Sequence, residues 1–201
     1  MAETFETHRE LEFNKSADEV WEWLSNVGNA MTSNQFHVAI DCDPADLRDP
    51  KVGLDVPIVH EILGSRHVRL GKITKYEDYA ISWGERLPDG TPYEDRFPHS
   101  EGWTVEAIGK NRCLVRNRLR GRHLFALNEV IGKVLWDTMI PPILDNDLLD
   151  VAYAVGAIDR PRQVEIPSLA STLLRLSNAR EIDGKPAVEF FNVPGLKPKH
   201  A

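Results

Sequence analysis

The sequence is poor in residues that cross-link or chelate, and in segments that span a bilayer. It holds two cysteines in 201 residues, Cys42 and Cys113, with no CxxC pair. A disulfide framework is not expected, and both thiols read as small apolar side chains in a reducing compartment. No stretch approaches the ~20 apolar residues that cross a bilayer, so membrane insertion is not expected. The opening MAETFETHRELEF lacks the basic segment and apolar run of a secretion signal, and the expected location is cytoplasmic. Basic charge is outnumbered, with 24 Lys and Arg against 31 Asp and Glu. A net charge of −7 and an isoelectric point near 5.5 argue against a nucleic-acid partner, which would need a basic stripe.

Several catalytic signatures are also missing. There is no GxSxG elbow, no GxxxxGK[ST] phosphate loop and no GxGxxG fingerprint. His60, His67, His99 and His123 lack HxxxH spacing and have no partnering cysteine pair, so neither a metal nor an organic cofactor is expected.

What remains is an ordinary globular composition, 42% hydrophobic and 27% charged. A domain of this length buries a core without help from disulfides or metals. FETHRELEF alternates as a half-buried strand, with Phe5, Thr7, Arg9, Leu11 and Phe13 on one side. Ser16 and Glu19 then form a capping box ahead of Val20, Trp21, Leu24 and Val27, and Gly28 is expected to end that helix. GNAMTSNQF leaves room for one more helical turn. From His37 the texture becomes HVAIDC, DVPIVHEIL, RHVRLGKITKYE, AISWGERL, EGWTVEAIG and RCLVRNRLRGR, each rich in β-branched or aromatic residues and several separated by turn signals. Helical periodicity returns from Leu127 to Val155. The order is strand, helix, meandering strands and a long helix, an α+β architecture with the helices on one face of an antiparallel sheet.

Within the last helix, WDTMIPPILDNDLL raises a question of its own. At about 100° per residue, Leu127, Val130, Ile131 and Val134 cluster on one face. Ile143, Leu144, Leu148, Val151 and Val155 cluster on another, rotated by roughly 100°. Pro141 and Pro142 each lack an N–H and crowd the preceding turn. The expectation is a proline-broken helix that bends, or stops and restarts, and so re-aims its apolar face. On the same projection Asp145 points away from the apolar stripe, Asp150 lies at its edge and Asp147 falls within it. Asp147 is therefore either a cavity-facing acid or base with a raised pKa, or a structural carboxylate in an ion pair or cap.

Other candidates carry similar alternatives. Arg116, Arg118 and Arg120 share one strand face opposite Val115, Asn117 and Leu119. They either face solvent or line a pocket and stabilise a developing negative charge through paired N–H donors. His60 shares a face with Val56, Ile58 and Ile62, either as a hydrogen-bonded core residue or as a base titrating near neutrality. The proline-bearing loop Leu87 to Gly102 is long for a hairpin; it either lids a cavity mouth with Tyr93, Asp95, Arg96 and His99 or is a solvated excursion. Trp83, Trp103 and Trp136 are either core or the wall of an aromatic pocket.

The strand–helix–meander–helix order, carried by THRELEFNKSADEVWEWLSNV, GKITKYEDYAISWGERL, EGWTVEAIGKNRCLVRNRLRG and the closing helix, resembles the START-like (SRPBCC) or helix-grip superfamily that includes polyketide cyclase and dehydrase-type proteins. The resemblance covers residues 5–156 and rests on order and spacing. It implies a curved antiparallel sheet gripping the last helix, with an apolar cavity for a hydrophobic small molecule. No catalytic residue transfers with it, because the superfamily has no universal set. The implied division is a helix-grip ligand-binding domain over residues 1–158 and an extension over 159–201, in which SLASTLLRLSNAR makes a short helix before the tail.

Three functions fit. One is a small-molecule enzyme doing cofactor-free acid–base work of cyclase, dehydratase or lyase type. Its proton-transfer candidates are His60 and Asp147, its charge stabilisers Arg116 and Arg118, and its ligand wall Trp83, Tyr93, His99, Trp103, Trp136 and Ile143. The second is a non-catalytic small-molecule or lipid carrier or sensor using the same cavity. The third is an interaction protein whose extension, through Leu169, Leu173 and Leu176, docks on the domain or forms a homodimer.

Overall fold

A computed structural model of the chain describes residues 4–62, 65–86, 99–121, 129–168, 181–182 and 185–186. Strand β1 (Phe5–Phe13) is followed by helices α1 (Ala17–Leu24) and α2 (Val27–Thr32). Then come β2 (His37–Ile40), α3 (Pro44–Arg48), β3 (Asp55–Ile62), β4 (Ser65–Glu77), β5 (Ala80–Arg86), β6 (His99–Gly109) and β7 (Arg112–Gly121). The long helix α4 (Glu129–Ala154) follows, and further along the chain β8 (Glu181–Ile182) pairs with β9 (Lys185–Pro186).

The seven strands form one antiparallel sheet in the order β1-β7-β6-β5-β4-β3-β2. Consecutive strands from β2 to β7 are neighbours, and β1 closes against β7 with Phe5 opposite Gly121 and Phe13 opposite Cys113. The sheet curls into a half-barrel around α4. This is the helix-grip α+β fold. Because the meander alternates direction, the ends of β3, β5 and β7 and the start of β6 fall at one edge of the sheet.

Sequence and structure agree on the first helix cap. Ser16 Oγ accepts from the Glu19 N–H at 3.3 Å, while the Glu19 carboxylate accepts from the Ser16 N–H at 2.9 Å. Gly28 does not end that helix: the chain turns at Ser25, and Gly28 sits inside α2, whose first turn is capped by Asn26 Oδ1 accepting from the Gly28 N–H at 3.0 Å. The five-residue α3, capped by Asp43 with Pro44 at its start, lies between β2 and β3.

Helix α4 runs through Pro141 and Pro142 without stopping and restarting. Its two halves nevertheless serve different clusters. Trp136 and Ile140 pack with Phe5, Leu119 and Leu144, whereas Leu148, Val151 and Ala152 enter the main core with Phe13, Val20, Leu24, Ile58, Trp83 and Trp103. The change of apolar face is thus accommodated within one continuous helix. Arg9 of β1 fixes the helix laterally, its Nε and Nη2 donating to the two Asp145 oxygens at 2.8 and 3.0 Å.

The chain after α4 is tied back to the helix. Asn146 Nδ2 donates to the Val164 carbonyl at 3.0 Å, and Asn146 Oδ1 accepts from the Val164 N–H at 2.6 Å. The segment expected as a short helix, with Leu169, Leu173 and Leu176, lies outside the described residues. Among the described residues, no helix is long and apolar enough to cross a membrane.

Candidate functional site

Strand alternation places two acids on the inner face of the sheet. In β5 the residues sharing that face are Ile81, Trp83 and Glu85; in β6 they are Glu101, Trp103 and Val105, and all six are buried. Trp83 stands directly opposite Glu101, and Trp103 opposite Asn117 of β7. Indole and polar side chains therefore alternate across the inner face, and α4 adds Asp147 from above.

Asn117 joins the acids. Its Nδ2 carries two hydrogens and donates to Glu101 Oε1 at 3.1 Å and to Asp147 Oδ2 at 3.3 Å. Asn34, just after α2, donates a further bond to Glu101 Oε2 at 3.3 Å. Glu101 is 1% exposed and Asp147 0%, so neither carboxylate is hydrated. Desolvation disfavours the charged form. Burial pushes Glu101 up to about 7 against the pull of His37, Asn117 and Asn34, and it pushes Asp147 well above the usual carboxylate range, helped by the charges of Glu101 and Asp150. Among the described residues, four buried polar atoms here have no hydrogen-bond partner: Asp147 Oδ1, Asn117 Oδ1 and the ring N–H groups of Trp83 and Trp103. Unpaired groups of this kind are costly and mark places where structure serves something other than stability.

A second polar group surrounds Glu85. Arg69 Nη1 donates to Glu85 Oε2 at 3.0 Å, and the Nε2 atoms of His60 and His37 lie 3.3 and 3.4 Å from the same carboxylate. His37 and His60 face each other across the β2–β3 pairing, with ring centroids 4.4 Å apart, and His67 stacks on the far side of His60 at 5.5 Å. Desolvation pulls His37 down, but the bond and charge of Glu85, the charge of Glu101 and the Met31 carbonyl together outweigh it and the net shift is upward. For His60 desolvation prevails and its pKa falls.

The predicted site residues separate clearly. His60 and Asp147 both lie in the buried polar layer, though in different halves of it. Arg116 and Arg118 do not: they point away from α4, where Arg116 Nη2 donates to Glu10 at 2.9 Å and Arg118 lies 3.9 Å from Glu6. Val115, Asn117 and Leu119 take the inner face because burying three arginines would require three matching acids. Trp83 and Trp103 are fully buried beside the acids. Trp136 instead donates its ring N–H to Thr7 Oγ1 at 2.7 Å and packs on Phe5, and Ile143 is buried on α4. His99 opens β6 opposite Gly121, and Tyr93 lies outside the described residues. None of these residues lines the surface groove of about 570 Å³ bordered by Glu19, Trp23, Asn29, Arg48 and Val155.

The residues missed from sequence are Glu85, Glu101, Asn34, His37, Arg69 and Asn117 as functional groups. Glu85 and Glu101 were accessible in principle, since each shares parity with a tryptophan two residues away. His37 was not, because it meets His60 only through tertiary pairing.

No protein-family model matches the sequence, and no curated protein matches it. Solved structures do. An aromatase/cyclase from Streptomyces sp. R1128 is similar at a TM-score of 0.58 and 12% identity, over 77% of this chain and 94% of that one. Norcoclaurine synthase from Thalictrum flavum, in complex with dopamine and hydroxybenzaldehyde, is similar at 0.53 and 18%, over 79% of this chain and 90% of that one. A truncated form of the same synthase gives 0.55 and 14%, over 77% and 96%. The chain therefore shares the helix-grip fold of these proteins.

Proposed function

We propose that this protein binds a hydrophobic or aromatic small molecule between the sheet and α4 and moves a proton on it with Glu101 and Asp147. The observation carrying this reading is the pair of dehydrated carboxyls bridged by the Asn117 amide and flanked by Trp83 and Trp103. Two neighbouring buried carboxyls do not both ionise readily at neutral pH, and environments that hold their pKa values apart assign acid and base. Asp147, pushed well above the usual carboxylate range by burial, is given the acid role and donates to a substrate oxygen; Glu101, pushed up to about 7, is given the base role, removing a proton from carbon and returning it.

The reaction class is cofactor-free chemistry of an enolisable substrate, as in cyclisation, dehydration or lyase cleavage. Norcoclaurine synthase, with its two aromatic ligands, and the aromatase/cyclase support the aromatic class by fold analogy alone. His60 belongs to the Glu85 group and is not assigned the proton-transfer step. Because both acids are closed off from water, a ligand reaches them by displacing inner-face side chains.

Native mass spectrometry of freshly purified protein, then titration of aromatic ketones followed by tryptophan fluorescence, tests the binding half. The expected result is a saturable signal, from a passenger or an added ketone, that is lost in Trp83→Ala or Trp103→Ala. A folded wild type whose fluorescence responds to no aromatic ketone, and which carries no passenger, would overturn it.

A further inference from the structure

Both histidines beside Glu85 are oriented by backbone. His37 Nδ1 lies 2.6 Å from the Met31 carbonyl and His60 Nδ1 3.3 Å from the Ile58 carbonyl. A carbonyl only accepts, so each Nδ1 carries a proton and donates, and in the neutral ring the lone pair of Nε2 then turns outward. Both Nε2 atoms then aim at one carboxylate. A lone pair set against a carboxylate oxygen is repulsive, and the contact is relieved either by a second proton on Nε2 or by a cation shared among the donors. The three donor atoms all lie within 4.8 Å of one another, and His37, His60 and Glu85 are 5%, 2% and 3% exposed.

From this geometry we infer that His37 Nε2, His60 Nε2 and a Glu85 oxygen form a binding site for a divalent transition metal of the zinc type. Donors ~2.05 Å from a tetrahedral centre stand about 3.3 to 3.4 Å apart, and the Nε2 atoms of His60 and His37 stand 3.3 and 3.4 Å from the same oxygen, Glu85 Oε1. Histidine ligands that donate their other N–H to a backbone carbonyl are the usual outer-shell arrangement, because it fixes the tautomer and the ring plane. Arg69 supplies the matching support for the carboxylate, holding Oε2 at 3.0 Å. Two histidines and one carboxylate leave coordination positions open, as in catalytic rather than structural zinc sites. No sequence motif announces the site, because its ligands come from three different strands.

The site does not rest on the proton-transfer reading, and metal alone is the probe. Chelator-treated, refolding-checked full chain is titrated with Co²⁺ followed by visible absorption, then with competing Zn²⁺. The expected result is one Co²⁺ per chain with intense low-coordinate ligand-field bands, displaced by Zn²⁺, and binding weakened roughly 100-fold or more in His37→Gln and in Glu85→Gln. Wild-type imidazole ¹⁵N spectra read the same site without any variant. Zn²⁺ should shift two Nε2 resonances while both Nδ1–H signals persist. Folded wild type that shows neither the bands nor the Nε2 shifts overturns the site, as does unchanged affinity in folded variants.

Discussion

Glu101→Gln isolates the cost of keeping a carboxyl in the dry layer. Burial raises the folded-state pKa from 4.5 to about 7, so the native state favours the protonated form. The stability this confers is complete below the unfolded value and is lost as pH rises through the folded one. At 1.36 kcal/mol per pH unit the whole shift amounts to roughly 3 kcal/mol, of which about 2 to 3 kcal/mol falls between about pH 5 and pH 8. Glutamine has the same shape and does not titrate, but it accepts only one of the two bonds now given by Asn34 and Asn117, a loss of about 1 to 3 kcal/mol at any pH. The variant should therefore be clearly less stable than wild type near pH 5 and should recover about 2 to 3 kcal/mol relative to it near pH 8. Urea unfolding of chelator-treated proteins, read by tryptophan fluorescence at both pH values, measures the double difference. Titrations remote from Glu101 cancel, whereas His37 and Asp147 feel its charge, so the double difference reads Glu101 together with these two partners. A difference between wild type and variant that stays constant to within about 1 kcal/mol would refute the assignment of Glu101 as the raised acid.

Other substitutions probe the packing and the faces of the sheet. Leu148→Ala removes a side chain that is 1% exposed in the main core and should cost about 2 to 5 kcal/mol in urea unfolding. Gly71→Ala would bring a Cβ to 2.7 Å from Ile58 Cδ1 and 3.0 Å from Met31 Cε; both are side-chain tips that must shift, and the expected loss is about 1 to 3 kcal/mol. Arg116→Ala breaks an exposed pair with Glu10 and should change stability by no more than about 1 kcal/mol, leaving ketone binding measured by fluorescence unaltered. Lost binding in that variant would contradict the outward placement of the β7 arginines.

The fold was legible because each strand carries its own period-two pattern and the first helix its own cap. RCLVRNRLRG, in particular, could bury either the arginines or the apolar set, and desolvation decides for the latter. The two prolines were harder to judge. Local chemistry argues for a break, whereas packing of both halves against the curled sheet holds one helix through them. Within the site, Asp147 was visible as an acid inside an apolar stripe, and Glu101 could have been read the same way beside Trp103. The Glu85 group could not, because the register that sets His37 against His60 depends on how β2 pairs, and β2 has only four residues.

The assignment of Glu101 and Asp147 to proton transfer is tested most directly by hydrogen exchange at the α-carbon of an aromatic ketone, 2-tetralone, in D₂O. Proton NMR follows the loss of the α signal with chelator-treated wild type, Glu101→Gln and Asp147→Asn. The predicted result is exchange accelerated above the buffer rate by wild type and reduced about 100-fold or more in each folded variant, the range expected for loss of a general acid or base. Exchange by wild type no faster than buffer, with the ketone demonstrably bound, would contradict it, as would equal rates in all three proteins.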